Sequence, residues 1–269
     1  MKKFWIYLFL IVGGLIFAYP FLWMISASFK PEIEISHVGL WSSNFTLNSY
    51  EAVVQKIPIW RALFNSLFVS SCVTLSVIFF GSIVGYALSR LRFFGRDFIL
   101  GVILFTMVIP FQITLIPMYI LMVKFGWVDS YMALIVPGMI STFGILLFRQ
   151  FFLDIPQDLI DAARIDGCND LMILFRIFWP LSRPVIITVG ILSFMGSWND
   201  VLWPLIVIRV RELMTMPQMV TLFAVGGQAE AQLGAELAAA TLLAIPIILV
   251  YAFFQRYFIE SMATTGLKN

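Results

Sequence analysis

The sequence has 269 residues, of which 61% are hydrophobic and 12% are charged, and its mean hydropathy is +0.97. A soluble domain carries about 25% charged residues, so this composition excludes an ordinary water-soluble fold. The formal net charge of +2 is too small to predict a nucleic-acid partner. We therefore expect one membrane-embedded domain over residues 1–269, in contact with lipid.

Six long apolar runs recur along the chain at lengths suited to crossing a bilayer as a helix. Helices satisfy their own backbone hydrogen bonds in lipid, which makes an all-α transmembrane fold the prediction. The first run follows Lys2 and Lys3 and exceeds the about 7–15 residues of a signal-peptide core, so we expect it to be retained. The predicted spans cover residues 4–29, 64–88, 98–123, 132–148, 185–208 and 237–258.

The distribution of basic residues predicts the orientation of these spans. Six crossings put both termini on the same side of the membrane. With both termini in the cytoplasm, 11 of the 17 Lys and Arg residues are cytoplasmic, and Arg90, Arg92 and Arg96 share one short loop. Because basic residues accumulate in cytoplasmic loops, the pattern predicts a multi-pass protein with both termini in the cytoplasm.

The third predicted span contains Pro110, Gln112 and Pro117. Proline removes a backbone donor, so this span is predicted to be kinked or broken. A broken helix more often borders a cavity than lipid, which makes Gln112 a candidate for a substrate pathway. In the second span, Gly81 and Gly85 are four residues apart and predict close packing against another helix.

The predicted cytoplasmic stretch 153–184 is unusually acidic. Its first part holds five aspartates against one arginine, a charge of −4 on the side where loops are usually basic. Such a surface indicates a basic partner. The charged residues are Asp154, Asp158, Asp161, Arg164, Asp166 and Asp170.

The same stretch predicts a short amphipathic helix of about ten residues. Pro156 suits its first turn, Gly167 suits a helix stop, and Asp161 and Arg164 are spaced to pair on one face. Its apolar side is small enough for a partner to approach closely. A helix lying on lipid headgroups is the alternative, although such helices are usually basic. The apolar side consists of Leu159, Ala162, Ala163 and Ile165.

These residues form a motif with a known counterpart. The sequence Asp161-Ala-Ala-x-x-Asp166-Gly167, followed by Pro180-Leu-x-x-Pro184, resembles the EAA motif of binding-protein-dependent ABC importer permeases. Asp161 stands where Glu is usual, which keeps the charge on a shorter side chain. The chain as a whole is most similar to the carbohydrate-importing branch of that family.

The resemblance implies a six-helix type I importer fold in a bacterial or archaeal cytoplasmic membrane, with a coupling helix that docks into an ATPase subunit. It implies four kinds of partner: a homologous second permease, two ATP-binding cassette ATPase subunits, an extracytoplasmic solute-binding protein and membrane lipid. Whether the permease pair is a heterodimer or a homodimer stays open. The residues it assigns to ATPase coupling are Asp158, Asp161, Ala162, Ala163, Arg164, Asp166, Gly167 and Cys168.

The chain lacks the G-x-x-x-x-G-K-[ST] phosphate loop, so we expect ATP and Mg on the partner ATPases and no cofactor on this chain. Its single histidine, His37, excludes an H-E-x-x-H metal site, and Cys72 and Cys168 have no second ligand at metal spacing. We expect a transport subunit with neither a catalytic nor a metal site. The resemblance favours mono- or oligosaccharides as substrate, with a non-sugar solute as the alternative.

Trp198, Asn199 and Asp200 in the fifth span allow two interpretations. An aromatic face beside an amide and a carboxylate suits a sugar, which would place the three in the substrate pathway with Gln112. Alternatively, Asn199 and Asp200 cap or bond a broken helix, while Trp198 and Trp203 pack near the membrane interface. Asp200 is the only acidic residue inside a predicted span, whereas an ion-driven secondary transporter, a less favoured alternative, normally carries such residues to bind its ions.

The outer stretch 209–236 is polar and rich in glycine, which by itself indicates a mobile loop. By position, it resembles the loop with which carbohydrate importers reach their external binding protein. The residues that the resemblance assigns to this contact are Gly226, Gly227, Gln228 and Glu230.

Overall fold

The computed structural model describes residues 2–37, 39–225 and 232–266. Within these ranges the regular elements are all helical. The α-helices are α1 (Lys2–Ser28), α2 (Glu32–Ile35), α3 (Asn48–Lys56), α4 (Ile59–Arg90), α5 (Arg96–Thr106), α6 (Phe111–Phe125), α7 (Tyr131–Ile135), α8 (Thr142–Leu153), α9 (Gln157–Ile165), α10 (Asp170–Ile173), α11 (Trp179–Leu181), α12 (Arg183–Trp198), α13 (Leu202–Val207), α14 (Met216–Val225) and α15 (Leu233–Gly266).

The chain forms two compact units. The first contains the described residues within 1–63 and 215–248, and the second contains those within 64–214 and 249–269. Apart from positions 226–230, all candidate site residues belong to the second unit.

Up to six segments of the described chain are apolar and long enough to cross a membrane. Three are single helices, a fourth joins α7 and α8, and two are pairs of helices bent by 102° between α5 and α6 and by 85° before α12. A single domain with six crossings stays a prediction. The single helices are Lys3–Ser28, Ile59–Arg90 and Leu233–Phe253, and the segment that joins α7 and α8 is Tyr131–Leu153.

Three predicted spans are not continuous helices. The run 132–148 is divided between α7 and α8 by the 3-10 turn Val136–Gly138 and by residues 139–141. In the run 98–123, α5 ends at Thr106 and α6 begins after Pro110, so the break predicted from the prolines is confirmed there, whereas α6 continues through Pro117. The prediction of a single helix over residues 185–208 was wrong, because α12 ends at Trp198 and the chain leaves the helical path before α13 begins.

The core of the second unit is built around aromatic side chains that join α4, α8 and the segment before α12. Phe148, Phe152 and Phe178 are fully buried, and the rings of Phe152 and Phe178 meet edge-on at 5.0 Å. Close packing predicted from the glycines of α4 is confirmed, and the neighbouring helix is α8. A Cβ on Gly85 would lie 2.7 Å from Cβ of Phe148 and 3.0 Å from the backbone nitrogen of Arg149.

Candidate functional site

Helix α9 is the predicted docking helix, and backbone signals fix both of its ends. Pro156 occupies the N-cap position, immediately before the helix rather than in its first turn. At the other end Gly167 has a φ of +80°, and its N–H donates to the carbonyl of Arg164 at 3.0 Å, while the N–H of Cys168 donates to that of Ala163 at 2.9 Å. These two bonds form a Schellman C-cap, whose left-handed position favours glycine. Gly167 therefore sets where α9 ends.

The two faces of α9 have different surroundings. Ile160 and Ala163 are 1% and 6% exposed and pack in the core of the same unit, whereas Ile165 is 87% exposed. The apolar side predicted as one partner surface is thus divided, and Ala163 anchors the helix to its own chain. Residues three apart share a helix face, so the buried pair follows from helical geometry. The outward face carries Asp158, Leu159, Asp161, Ala162, Ile165 and Asp166.

Charged side chains tie α9 to its surroundings in an arrangement that differs from the prediction. Arg164 pairs with Asp170 at 3.2 Å, so the pairing predicted with Asp161 was wrong. Asp161 instead accepts a hydrogen bond from Nε2 of Gln157 at 3.0 Å, and the hydroxyl of Tyr86 donates to Asp170 at 3.1 Å. The hydrogen bond with Asp170 raises the pKa of the Arg164 guanidinium. The one basic residue of α9 is therefore engaged, and the outward face is acidic.

The residues after α12 occupy three different environments. Trp198 is fully buried and stacks on Phe194 with 5.9 Å between ring centroids, so its face is not open to a ligand. Asn199 is exposed and forms the C-cap of α12, with its N–H bonded to the carbonyl of Met195 at 3.0 Å. From just before α13, a carboxylate oxygen of Asp200 accepts the backbone N–H of Trp203 at 3.3 Å, which satisfies a free donor in the first turn of that helix. The geometry fits the capping interpretation.

Asp200 also borders a cleft of about 320 Å³ within the second unit. The cleft is lined mainly by apolar and small residues of α4, α6, α7, the 3-10 turn Val136–Gly138 and α12. Ser197 and Trp203 join Asp200 in the lining, whereas Gln112 is exposed on α6 and is not a lining residue. The structure thus brings one of the four predicted pathway residues to the cleft.

Trp203 lines the cleft, whereas it was predicted only to pack near the membrane interface. Its indole N–H donates to the carbonyl of Ala133 at 2.8 Å, while its side chain is 3% exposed and contributes to the cleft. A tryptophan inside an apolar run needs a partner for its N–H, so Trp203 could have been singled out. The partner lies 70 residues earlier in the chain and leaves no local signal.

The remaining predictions concern the outer loop and metals. Gly226, Gly227, Gln228 and Glu230 lie outside the described residues. Within the described part of the chain, no group of three or more His, Cys, Asp and Glu side chains is placed to hold a metal ion.

Comparison with known proteins gives consistent matches. The family model described as binding-protein-dependent transport system inner membrane component matches residues 77–264. The arabinooligosaccharides transport system permease protein AraQ of Halalkalibacterium halodurans is 36% identical over 257 residues, which are 93% of this chain and 91% of AraQ. The trehalose/maltose transport system permease protein MalG of Thermococcus litoralis is 30% identical over 273 residues, 97% of this chain and 96% of MalG.

A solved structure is also similar over nearly its full length. It is the crystal structure of a bacterial ABC transporter involved in the import of the acidic polysaccharide alginate, and the match has a TM-score of 0.81 at 26% identity. The similarity covers 96% of this chain and 97% of that one. Together with the capped, acidic α9 helix, these matches show that the chain belongs to the inner membrane components of binding-protein-dependent transport systems and is an ABC importer permease subunit.

Proposed function

We propose that this chain imports mono- or oligosaccharides, forming half of a translocation pathway whose other half is a homologous second permease. The observation that carries the transport part of the proposal is the outward acidic face of α9, which coincides with the EAA-like motif and ends at the Gly167 cap. The names of AraQ and MalG, which refer to arabinooligosaccharides and to trehalose and maltose, support the sugar class.

An acidic saccharide is the second candidate, because the similar transporter of known structure takes part in alginate import. The cleft argues against it. Among the described residues that line the cleft, Asp200 is charged and no Lys or Arg is present. With no Lys or Arg among its described lining residues, the cleft offers an anionic substrate no opposite charge, so a neutral sugar is favoured.

In our proposal ATP and Mg bind on two partner ATPase subunits, and this chain hydrolyses no ATP. The ATPases receive the outward face of α9 in a basic or donor-rich cleft. When ATP closes the two ATPases onto each other, α9 moves together with the ATPase that holds it. The pathway then switches between outward-facing and inward-facing states. The loaded binding protein and ATP must both favour the outward-facing state for import to be coupled.

The proposed orientation has both termini in the cytoplasm and the stretch 226–230 outside, where it contacts the solute-binding protein. Phe94 and Trp41 are strongly exposed and belong to loops predicted on opposite sides. After Cys72 and Cys168 are replaced by alanine, a membrane-impermeant maleimide should label a Trp41→Cys variant in whole cells, and a Phe94→Cys variant only after permeabilisation. The reverse pattern would overturn the orientation.

The substrate proposal is tested on the partner solute-binding protein by calorimetric titration with maltotriose, arabinotriose, an alginate trisaccharide, an amino acid mixture and divalent metals. We expect heat from at least one neutral saccharide. Binding of the alginate trisaccharide alone would favour the second candidate. Binding of only amino acids or metals would overturn the sugar proposal and leave the importer family unaffected.

A further inference from the structure

Helix α4 carries a polar stripe towards its C-terminal end. Ser82, Tyr86 and Arg90 are spaced four residues apart, so they lie on one face of the helix. Each is bonded to a different part of segment 152–179, which contains α9. Polar groups in an apolar helix are costly unless they are paired, so these contacts hold the segment at a defined place on α4.

Tyr86 connects α4 to the C-terminal side of α9. Its side chain is 3% exposed, and its hydroxyl donates to the same carboxylate oxygen of Asp170 that accepts Nη2 of Arg164. The tyrosine ring packs edge-on against Phe178 at 5.1 Å. Asp170 therefore joins a residue of α4 to a residue of α9.

Arg90 connects α4 to the N-terminal side of α9. Its Nε donates to the carbonyl of Phe152 at 3.0 Å, its Nη1 donates to Oε1 of Gln157 at 3.2 Å, and its Nη2 bonds the carbonyls of Phe152 and Ile155. Phe152 lies in the last turn of α8, where carbonyls have no partner within the helix. The guanidinium also lies 5.7 Å from the ring centroid of Phe178. Arg90 thus joins the end of α8 to the first residue of α9.

The polar stripe lies beside the tight contact between α4 and α8, and α4 itself reaches the cleft. Ser82 accepts the indole N–H of Trp179 at 3.0 Å, which fixes the far end of the segment. Gly85 leaves no room between α4 and α8, so these two helices cannot slide past each other without a clash. On the same helix, Val73 lines the cleft that contains Asp200.

We propose that Tyr86 and Arg90 are positioning residues that pass a displacement of α9 to α4, and through Val73 to the cleft. The inference rests on the proposed function, in which α9 docks on an ATPase. The count of basic residues places Arg90 with the loop charges Arg92 and Arg96, whereas the structure makes it an internal connector.

Two conservative variants interrupt the connection and retain the packing. Tyr86→Phe removes only the hydroxyl, and Arg90→Lys keeps the charge but loses the planar fork that reaches several acceptors at once. Tyr119→Phe and Arg92→Lys are the matched controls. Tyr119 bonds Arg209 through its hydroxyl, and Arg92 is exposed in the loop after α4.

Two cysteine reporters follow the two ends of the connection, after Cys72 and Cys168 are replaced by alanine. Ile165→Cys reports on the outward face of α9, and Gly196→Cys reports on the cleft, where an added Cβ meets no atom within 4 Å. The assembled transporter with both permeases and both ATPases is placed in lipid nanodiscs. Maleimide labelling rates are measured with and without AMP-PNP and Mg.

The parent is the transporter that carries a reporter cysteine, lacks Cys72 and Cys168, and has no further substitution. In the parent, we expect AMP-PNP to change the labelling rate of the Gly196→Cys reporter by at least about threefold, and we expect the ATPases to protect the Ile165→Cys reporter. Tyr86→Phe and Arg90→Lys should abolish the response at the cleft while the ATPases still co-purify and still protect α9. Both controls should respond like the parent. Variants whose cleft reporter responds as in the parent, or a parent whose cleft reporter ignores AMP-PNP, would overturn the inference. Failure of the ATPases to protect Ile165→Cys in the parent would instead overturn the proposed docking itself.

Discussion

Helix α9 and the cleft beside Asp200 belong to the same unit but are assembled in opposite ways. The start, stop, buried anchors and outward charges of α9 all come from residues 156–170. The cleft collects side chains from α4, α6, α7 and the α12–α13 junction, spread over residues 73–203. Its formation therefore depends on helix packing. A change on the outward face or at the C-cap of α9 should therefore harm coupling more than stability, whereas a change near the cleft should harm stability and transport together.

The largest expected effect comes from disrupting α9 itself. Gly167→Val places a β-branched residue at φ +80° and strains the C-cap, while Asp161→Lys reverses a charge on the outward face. Each should lower uptake by reconstituted proteoliposomes at least about tenfold, with the chain still inserted and still paired with its sister permease. ATPase subunits should co-purify weakly or hydrolyse ATP without responding to the binding protein.

Gly126→Val is the matched control for the glycine variant. Gly126 also ends a helix, at φ +67°, and an added Cβ meets no atom within 4 Å at either position. The backbone strain should therefore be similar, about 1–2 kcal/mol. If Gly126→Val lowered ATPase recovery as much as Gly167→Val, the effect would be general strain and not a loss of docking.

Close contact between α4 and α8 gives the next largest effect. A Cβ at Gly85 would overlap Phe148 and the backbone of α8, so Gly85→Ala should destabilise the chain by about 1–3 kcal/mol. Gly101→Ala is the control, since nothing lies within 4 Å of a Cβ there. Thermal unfolding of the purified permease followed by tryptophan fluorescence measures both. Equal melting temperatures would contradict the packing described.

Asp200 separates the capping and ligand-binding interpretations of the cleft. Asn caps a helix about as well as Asp, whereas Ala does not, and losing a cap costs about 1 kcal/mol. If capping is its role, Asp200→Asn should transport normally and Asp200→Ala should be less stable and less active. An equal rise in the half-saturating sugar concentration for both variants would indicate that the carboxylate binds substrate.

The smallest effect concerns Asp129, whose carboxylate accepts the backbone N–H groups of Arg209 and Val210 in the second unit. These bonds lower the pKa of the Asp129 carboxyl, so its contribution to stability is present above the unfolded value of about 4 and is lost as pH falls through the folded pKa. Asp129→Asn keeps an acceptor oxygen and suits the left-handed backbone at this position (φ +57°), so it removes only the charge. It should lower the melting temperature slightly at pH 7 and not at the acidic end of the titration. A difference that persists in acid would contradict this.

The contrast between α9 and the cleft also separates what could be predicted from the sequence from what could not. Pro156, Gly167 and the aspartates are local signals, and they predicted α9 to within a residue or two of its ends. The ion pair of Arg164 could not be predicted, because Asp170 becomes its partner only after the chain turns at Gly167. The helix breaks at Met107–Pro110 and after Trp198 were only partly predicted, since proline marks the first and nothing but Asn199 and Asp200 marks the second.

Docking of α9 on an ATPase is the central claim, and site-specific photocrosslinking tests it most directly. A benzophenone amino acid is placed at Ile165, on the outward face of α9, or at Trp41, which is 88% exposed in a loop predicted outside the membrane. After illumination of membranes that contain the assembled transporter, products are identified by immunoblotting for the ATPase. We predict an ATPase product from position 165 and none from position 41. Absence of that product from position 165, with the ATPase present and bound, would contradict the account.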